Sequence, residues 1–244
     1  MAGPDYVISV DLGQAADFTA IGILKRVPQQ TGQTKDLYSK HGQELSREYS
    51  DHFHLVYAHR VPLHTSYPDQ VATIVQLCGR APGSYQVIAD ATGVGRPVVD
   101  LMRQAGLPVI GCVITAGLGQ SHQNKETGFW MVPKRELVTR AQTYMQQGRL
   151  KIGGKLKLAD IIVKELLAFR MRISTTTGNA SFEAWRDQAH DDLVLMLCMG
   201  VWWGHQTRTG WKKDSGPHKD FDRKMRDVAR AYFTEEDASD WSTD

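Results

Sequence analysis

Two apolar runs in this chain each stop on an aspartate: Val7-Ile8-Ser9-Val10-Asp11 and Val87-Ile88-Ala89-Asp90. A third acidic point, Asp191-Asp192, opens a late apolar stretch that begins Leu193-Val194. Short apolar runs of this kind read as buried strands, and each delivers a carboxylate at its end. Burying unpaired carboxylates is too costly unless a cation neutralises them. A fold that gathers these acids therefore calls for a divalent metal, and with it hydrolytic chemistry.

The surrounding pattern is that of an α/β chain. Phe18 to Leu24 reads as a second strand forming a hairpin with the first. Residues 29–51 turn polar and are expected to make a long exposed excursion before a third strand over Phe53 to Leu63. Val71, Ile74, Val75 and Cys78 recur at helical spacing. The strand ending at Asp90 is followed by a helix whose inner face is Val98, Leu101, Met102 and Ala105, and then by a strand over Val109 to Ile114. That is a strand–helix–strand unit of the parallel kind. A Gly-rich loop over about 115–128 follows, then helices at about 134–147 and 156–169, a short strand near 171–175, and a buried helix over about 190–203. The sheet is thus mixed, antiparallel at its hairpin and parallel beyond it, with helices flanking it. Domain organisation reads as one unit over 1–203 and a charged extension over 204–244, basic up to Arg230 and acidic after it.

Net charge is only +2 over 244 residues, so any polyanion must be met by a local basic cluster. Cys78, Cys112 and Cys198 lie in apolar contexts without ligand spacing, which reads as reduced, buried thiols. No signal pattern and no apolar run of spanning length is present, so the expected location is the cytoplasm, without a membrane partner.

Mg²⁺ takes hard oxygen ligands and uses only a few carboxylates, leaving positions for water and phosphate. Two such ions roughly 3.5–4 Å apart can serve an in-line phosphoryl displacement. In this reading Asp11 bridges both ions, and Asp90 with one of Asp191 and Asp192 completes the separate shells. An aspartate at a strand end can also cap a turn, and acids at a helix start also suit the macrodipole. Those explanations account for each acid singly and poorly for all of them together.

The segments VDLGQAADFTAIGIL around Asp11, VIADATGVGRPVVDLM around Asp90, VPKRELVTRAQTYMQQGRLKI and HDDLVLMLCMGVWW resemble, in content and order, the nuclease domain of phage terminase large subunits. The resemblance covers roughly residues 5–203, and its more specific parts are the HDDLV helix start and the VPK…GRLKI stretch. It implies a ribonuclease H-like fold and an endonuclease that cuts concatemeric viral DNA during genome packaging with two Mg²⁺ or Mn²⁺ ions. Carried over by position, the catalytic metal carboxylates are Asp11, Asp90 and Asp191, with Asp192 as a fourth or alternate ligand. The implied partners are double-stranded DNA and a separate packaging ATPase, small terminase subunit or portal. The host cell cytoplasm is the implied setting. No G-x-x-x-x-G-K-[ST] P-loop occurs, so these residues alone would not perform packaging motor activity, and an isolated domain, a split gene product and a stand-alone relative all fit the pattern.

The region 134–172 is basic, and Arg149, Lys151 and Lys155 cluster in a turn between helices where they could hold DNA phosphates. His190, before the acid pair, could orient a carboxylate or a water. His52 and His54 share a strand face but His59 does not, and no cysteine pair joins them, which argues against zinc. Gly93-x-Gly95 lacks the third glycine of a dinucleotide fingerprint, since Val98 stands there. Alternatives within this pattern are a resolvase-type nuclease for branched DNA, an actin-like or sugar-kinase-type ATPase, and an assembly module with an idle site.

Overall fold

β1 (Tyr6–Asp11) is buried along its whole length, as a strand flanked on both sides and covered on both faces must be. The computed structural model describes residues 4–13, 15–39, 42–79, 83–93, 95–117, 119–173, 180–184 and 191–207. After β1 come β2 (Thr19–Ser39), β3 (Gly42–Val61), α1 (Tyr67–Gly79), β4 (Tyr85–Asp90), α2 (Gly95–Gln104) and β5 (Val109–Thr115). The chain continues through β6 (His122–Gln123), β7 (Trp130–Pro133), α3 (Lys134–Gln146), β8 (Leu150–Ile152) and α4 (Ala159–Ala168). β9 (Phe169–Ile173), β10 (Ala180–Ala184) and α5 (Asp192–Gln206) follow.

Eight strands form one sheet in the order β6-β7-β5-β4-β1-β2-β3-β8. β1, β2 and β3 are successively antiparallel, whereas β1–β4, β4–β5, β5–β7 and β3–β8 are parallel. The mixed sheet expected from the sequence is therefore present. β9 and β10 pair separately as a two-stranded sheet, which accommodates the short strand expected near 171–175.

Three details depart from the sequence reading. The polar stretch 29–51 is not a loop: β2 and β3 continue pairing as a ribbon from Gln29↔Ser50 out to Ser39↔Gly42. The Gly-rich region contains β6, and β7 follows directly after it. α5 runs on to Gln206, past the expected end of the helix. The expected extension over 204–244 lies mostly outside the described residues, as does His190.

The sheet carries a core on each face. On one, α1 and α2 cover Ile8, Val10, Ile21, Val87 and Ala89. On the other, α3, α4 and α5 cover Val7, Ala20, Leu24, Ile88 and Cys112. α5 approaches the sheet closely because glycines remove the side chains between them. A Cβ on Gly22 would lie 2.0 Å from Met196 Sδ, and one on Gly200 would lie 2.4 Å from Leu24 Cδ1. Ser9 Oγ donates to the Met196 carbonyl at 2.6 Å, and Arg26 Nη2 donates to the Gly204 carbonyl at 2.8 Å. These contacts fix the helix along its length and determine where its N-terminus arrives.

Candidate active site

Residues alternate faces along a strand, so Asp11 shares the α5 face with Val7 and Ser9, and Asp90 shares it with Ile88. β1 and β4 run parallel with Val10 opposite Ala89, which puts Asp11 beside Asp90 at the carboxyl ends of both strands. Across the other side of β1, Asp11 pairs with Ala20, and Ala20 pairs with Arg60 on β3. The N-terminus of α5 comes down at this row. Acids from three distant parts of the sequence thus meet electrostatically: Asp11 experiences the charges of Asp90, Asp192 and Asp191.

Each acid is held differently. Asp90 Oδ1 accepts from the Thr92 backbone N–H at 2.8 Å and from Thr92 Oγ1 at 2.5 Å. Asp191 stands at the N-cap position of α5, yet its side chain makes no capping bond. Instead its Oδ2 accepts from Lys134 Nζ at 3.1 Å. Asp192 is engaged through both oxygens by Arg60, with Nε to Oδ2 at 2.7 Å and Nη2 to Oδ1 at 2.9 Å. This is the fork-on-carboxylate geometry that only arginine supplies. Arg60 Nη2 also donates to Glu165 Oε1 from α4, and its guanidinium lies 5.0 Å from the Phe18 ring centroid.

Electrostatics follow from burial. Burial, and then the carboxylates of Asp90, Asp192 and Asp191, push Asp11 well above the ordinary carboxylate range, with Lys134 opposing. Asp90 is also raised, chiefly by burial, against the pull of its Thr92 hydrogen bonds and a hydrogen bond with Asp11. Burial pushes Glu165 up to about 7 in spite of Arg60 beside it, and Glu165 Oε2 is buried with no hydrogen-bond partner.

Among the described residues, no three His, Cys, Asp or Glu side chains are already gathered as a metal cage. Protein cations pair with two of the four acids, Arg60 with Asp192 and Lys134 with Asp191. The donor chemistry of Asp11, Asp90 and Asp191 nonetheless suits a hard divalent ion, because each is a carboxylate on one rim of the sheet. Asp192 fits that role less well, because Arg60 takes both of its oxygens.

A measurable consequence concerns pH. A carboxyl raised in the folded state contributes stability below its unfolded value, and that stability is lost as pH rises through the folded value. Asp11 and Asp90 both carry this sign. A divalent cation competes with the protons these carboxyls hold. The rise in Tm produced by Mn²⁺ is therefore expected to grow as pH increases from the ordinary carboxylate range towards neutrality. Thermal melts with Mn²⁺ and with EDTA across that range check this, and a pH-independent increment would contradict it.

The basic residues singled out by sequence are placed away from this row. Arg149 on the approach to β8 donates through Nε and Nη2 to the Asp51 carbonyl at 3.0 and 2.7 Å, and its guanidinium lies 4.3 Å from the Tyr144 ring centroid. Lys151 pairs across from His54, roughly 20 Å down β3 from Arg60 at the usual strand rise. Lys155 lies in the turn that leads from β8 to α4. Sequence reasoning missed Arg60 and Glu165, and it assigned Lys134 only to a general basic region.

A solved structure shares this architecture, and others are similar to it at lower scores. The large terminase nuclease from thermophilic phage G20c superposes with a TM-score of 0.53 at 18% identity over 82% of either chain. The human cytomegalovirus terminase nuclease domain, Mn soaked, gives 0.46 at 12% identity, covering 82% of this chain and 83% of that one. The large terminase nuclease domain of bacteriophage SPP1 with bound Mn gives 0.45 at 10%, covering 82% and 86%. No protein-family model matches the chain, and no curated protein matches it in sequence. The chain has the ribonuclease H-like fold of the large-terminase nuclease domains, and at these identities the likeness is one of fold.

Proposed function

We propose that this chain is a metal-dependent DNA endonuclease of the terminase-nuclease type, acting on double-stranded DNA. One observation carries the reading: in a sheet of this fold, the carboxylates of Asp11, Asp90 and Asp191 come to one rim from three separate elements. When bound there, a pair of Mg²⁺ or Mn²⁺ ions supplies positive charge to a phosphodiester and lowers the pKa of an attacking water.

The chain's own residues divide the remaining work. Asp11, buried and central, would be one of the ligands that hold the ions. Asp90, with one oxygen fixed by Thr92, would be another ligand beside it. Asp191 would be a further ligand, and Lys134 holds that carboxylate in place through its ammonium. Asp192 is read as a positioning residue: Arg60 anchors it, and the anchored helix start then aims Asp191. A separate packaging ATPase, small terminase subunit or portal is the partner class this role would need.

An actin-like or sugar-kinase ATPase needs two related halves. The described residues build one such sheet and a single small ribbon pair. Among them no helix is long and apolar enough to cross a membrane.

The test is a cleavage assay with Mn²⁺ or Mg²⁺ on linear, supercoiled and branched DNA, with EDTA controls. Metal-dependent breakage of linear and supercoiled duplex is expected. Preferential cutting of branched DNA would favour a resolvase-type substrate instead. ATP turnover with no breakage of any substrate would sink the nuclease reading.

A further inference from the structure

β7 ends at Pro133 and α3 starts at once, and Gly117 and Gly119, which lie between β5 and β6, border the same cleft as the first turns of that helix. Between them lies a cleft of about 310 Å³, bordered by Gly117 and Gly119 on the loop and by Arg135, Glu136, Thr139 and Arg140 on the helix. We propose that this cleft is a phosphate subsite for the DNA backbone flanking the cleaved bond, with Arg135 and Arg140 as its ligands. The proposal deepens the nuclease reading and rests on it.

Four observations support it. First, the local charge is positive: the one acid in the cleft, Glu136, is already engaged, accepting from Ser121 N–H at 3.1 Å, Ser121 Oγ at 3.0 Å and Trp202 Nε1 at 2.8 Å. Among the residues whose side chains are described, no acid forms an ion pair with Arg135 or Arg140. Second, Arg140 Nε is buried without a hydrogen-bond acceptor. A buried donor without an acceptor is costly, and a phosphate oxygen that reached it would offset that cost.

Third, the fold does not require the two loop glycines for packing or for their backbone conformation. A Cβ on Gly119 would meet open space, one on Gly117 would find nothing nearer than 3.9 Å, and neither has positive φ. Bare backbone without such a need is what close approach of an anion to amide groups uses. Fourth, the position suits a continuous strand. The parallel strands β4, β5 and β7 all point their carboxyl ends to the same rim, so the cleft lies two strand spacings, roughly 10 Å, across from Asp90. One DNA strand advances roughly 3.4 Å of axis per nucleotide, so about three steps span that distance.

Binding of a short fluorescent duplex is measured by anisotropy against salt, in EDTA, with the full chain carrying Asp11→Asn so that no cleavage intervenes. Adding Arg140→Gln, or Arg135→Gln with Arg140→Gln, is expected to weaken binding roughly tenfold and to lower the salt slope by about one unit for each phosphate no longer neutralised. Arg103→Gln, the same charge change on α2 against the opposite face of the sheet, is expected to leave both quantities within twofold. Gly119→Glu places an acid in the cleft where a side chain has room, so it tests the same site if the arginine variants fail to fold.

Unchanged affinity and slope in the cleft variants would overturn the subsite while leaving metal-dependent cleavage by the parent chain intact. An equal loss with Arg103→Gln would overturn it as well, by reducing the effect to overall charge. If the parent binds no duplex and also cuts none with Mn²⁺, the nuclease reading fails together with the subsite.

Discussion

Replacing Asp11 by Asn is expected to abolish metal-dependent DNA cleavage and at the same time to stabilise the metal-free protein at neutral pH. The two effects share one cause. Asp11 is buried beside Asp90, Asp191 and Asp192, and its charged form is disfavoured by burial and by all three. An amide of the same shape removes that charge and keeps the packing. We expect a gain of about 1 kcal/mol at pH 7, the usual scale for relieving strain at an active site. For a domain of this size that is roughly 2–4 °C in Tm. Cleavage should fall at least a thousandfold, or about 4 kcal/mol of transition-state stabilisation. The stabilisation should shrink as pH falls towards the ordinary carboxylate range, because the wild-type carboxyl is then protonated too. Mn²⁺ should stabilise the wild type and have little effect on the variant. A variant that melts lower than wild type in EDTA at every pH would show that Asp11 is held for structure rather than for a cation. One that still cuts plasmid at the wild-type rate would remove it from the chemistry.

The acids were legible in sequence because each ends an element with a strong local signature. β1 and β4 are apolar at most inward positions, and α5 is apolar nearly all round, so the ends that carry the acids could be located to within a residue or two. Elements without such a signature were misread. The outer part of the β2–β3 ribbon is paired only to itself, so its polar sequence carries no alternation that distinguishes strand from loop. β7 and β8 are four and three residues long, too short to show a period, and are defined by their partners β5 and β3. Arg60 illustrates the limit for the site itself. Its partners are 132 and 105 residues away along the chain, and an arginine near the end of a strand has no local pattern that foretells them. Lys134 fell within a stretch that reads as a solvated basic face, and only the fold brings it to Asp191.

Arg60 is also where the second large effect is expected. Arg60→Ala would leave Asp192, 4% exposed, and Glu165, 11% exposed, without the cation that both now share. Breaking a buried pair from one side costs about 3–5 kcal/mol, because the remaining charge then has no counterion. At this chain length that corresponds to a fall in Tm of roughly 6–20 °C. Glu165 already stands at about 7 and would rise further without Arg60, so protonation relieves part of the penalty. The loss should therefore be smaller at pH 5.5 than at pH 8, the direction expected of a raised carboxyl. Combining Arg60→Met with Asp192→Asn and Glu165→Gln should restore much of the stability, since no buried charge then lacks a partner. Catalysis separates the roles of the two adjacent acids. If Asp192 serves to anchor the helix start, Asp192→Asn retains cleavage within about tenfold, because Arg60 can still donate to an amide oxygen. Asp191→Asn, at the carboxylate that Lys134 holds on the rim, should lose as much as Asp11→Asn. Equal losses at Asp191 and Asp192 would mean that Arg60 releases its carboxylate when metal and DNA arrive, and that the ion pair is a resting interaction rather than a brace.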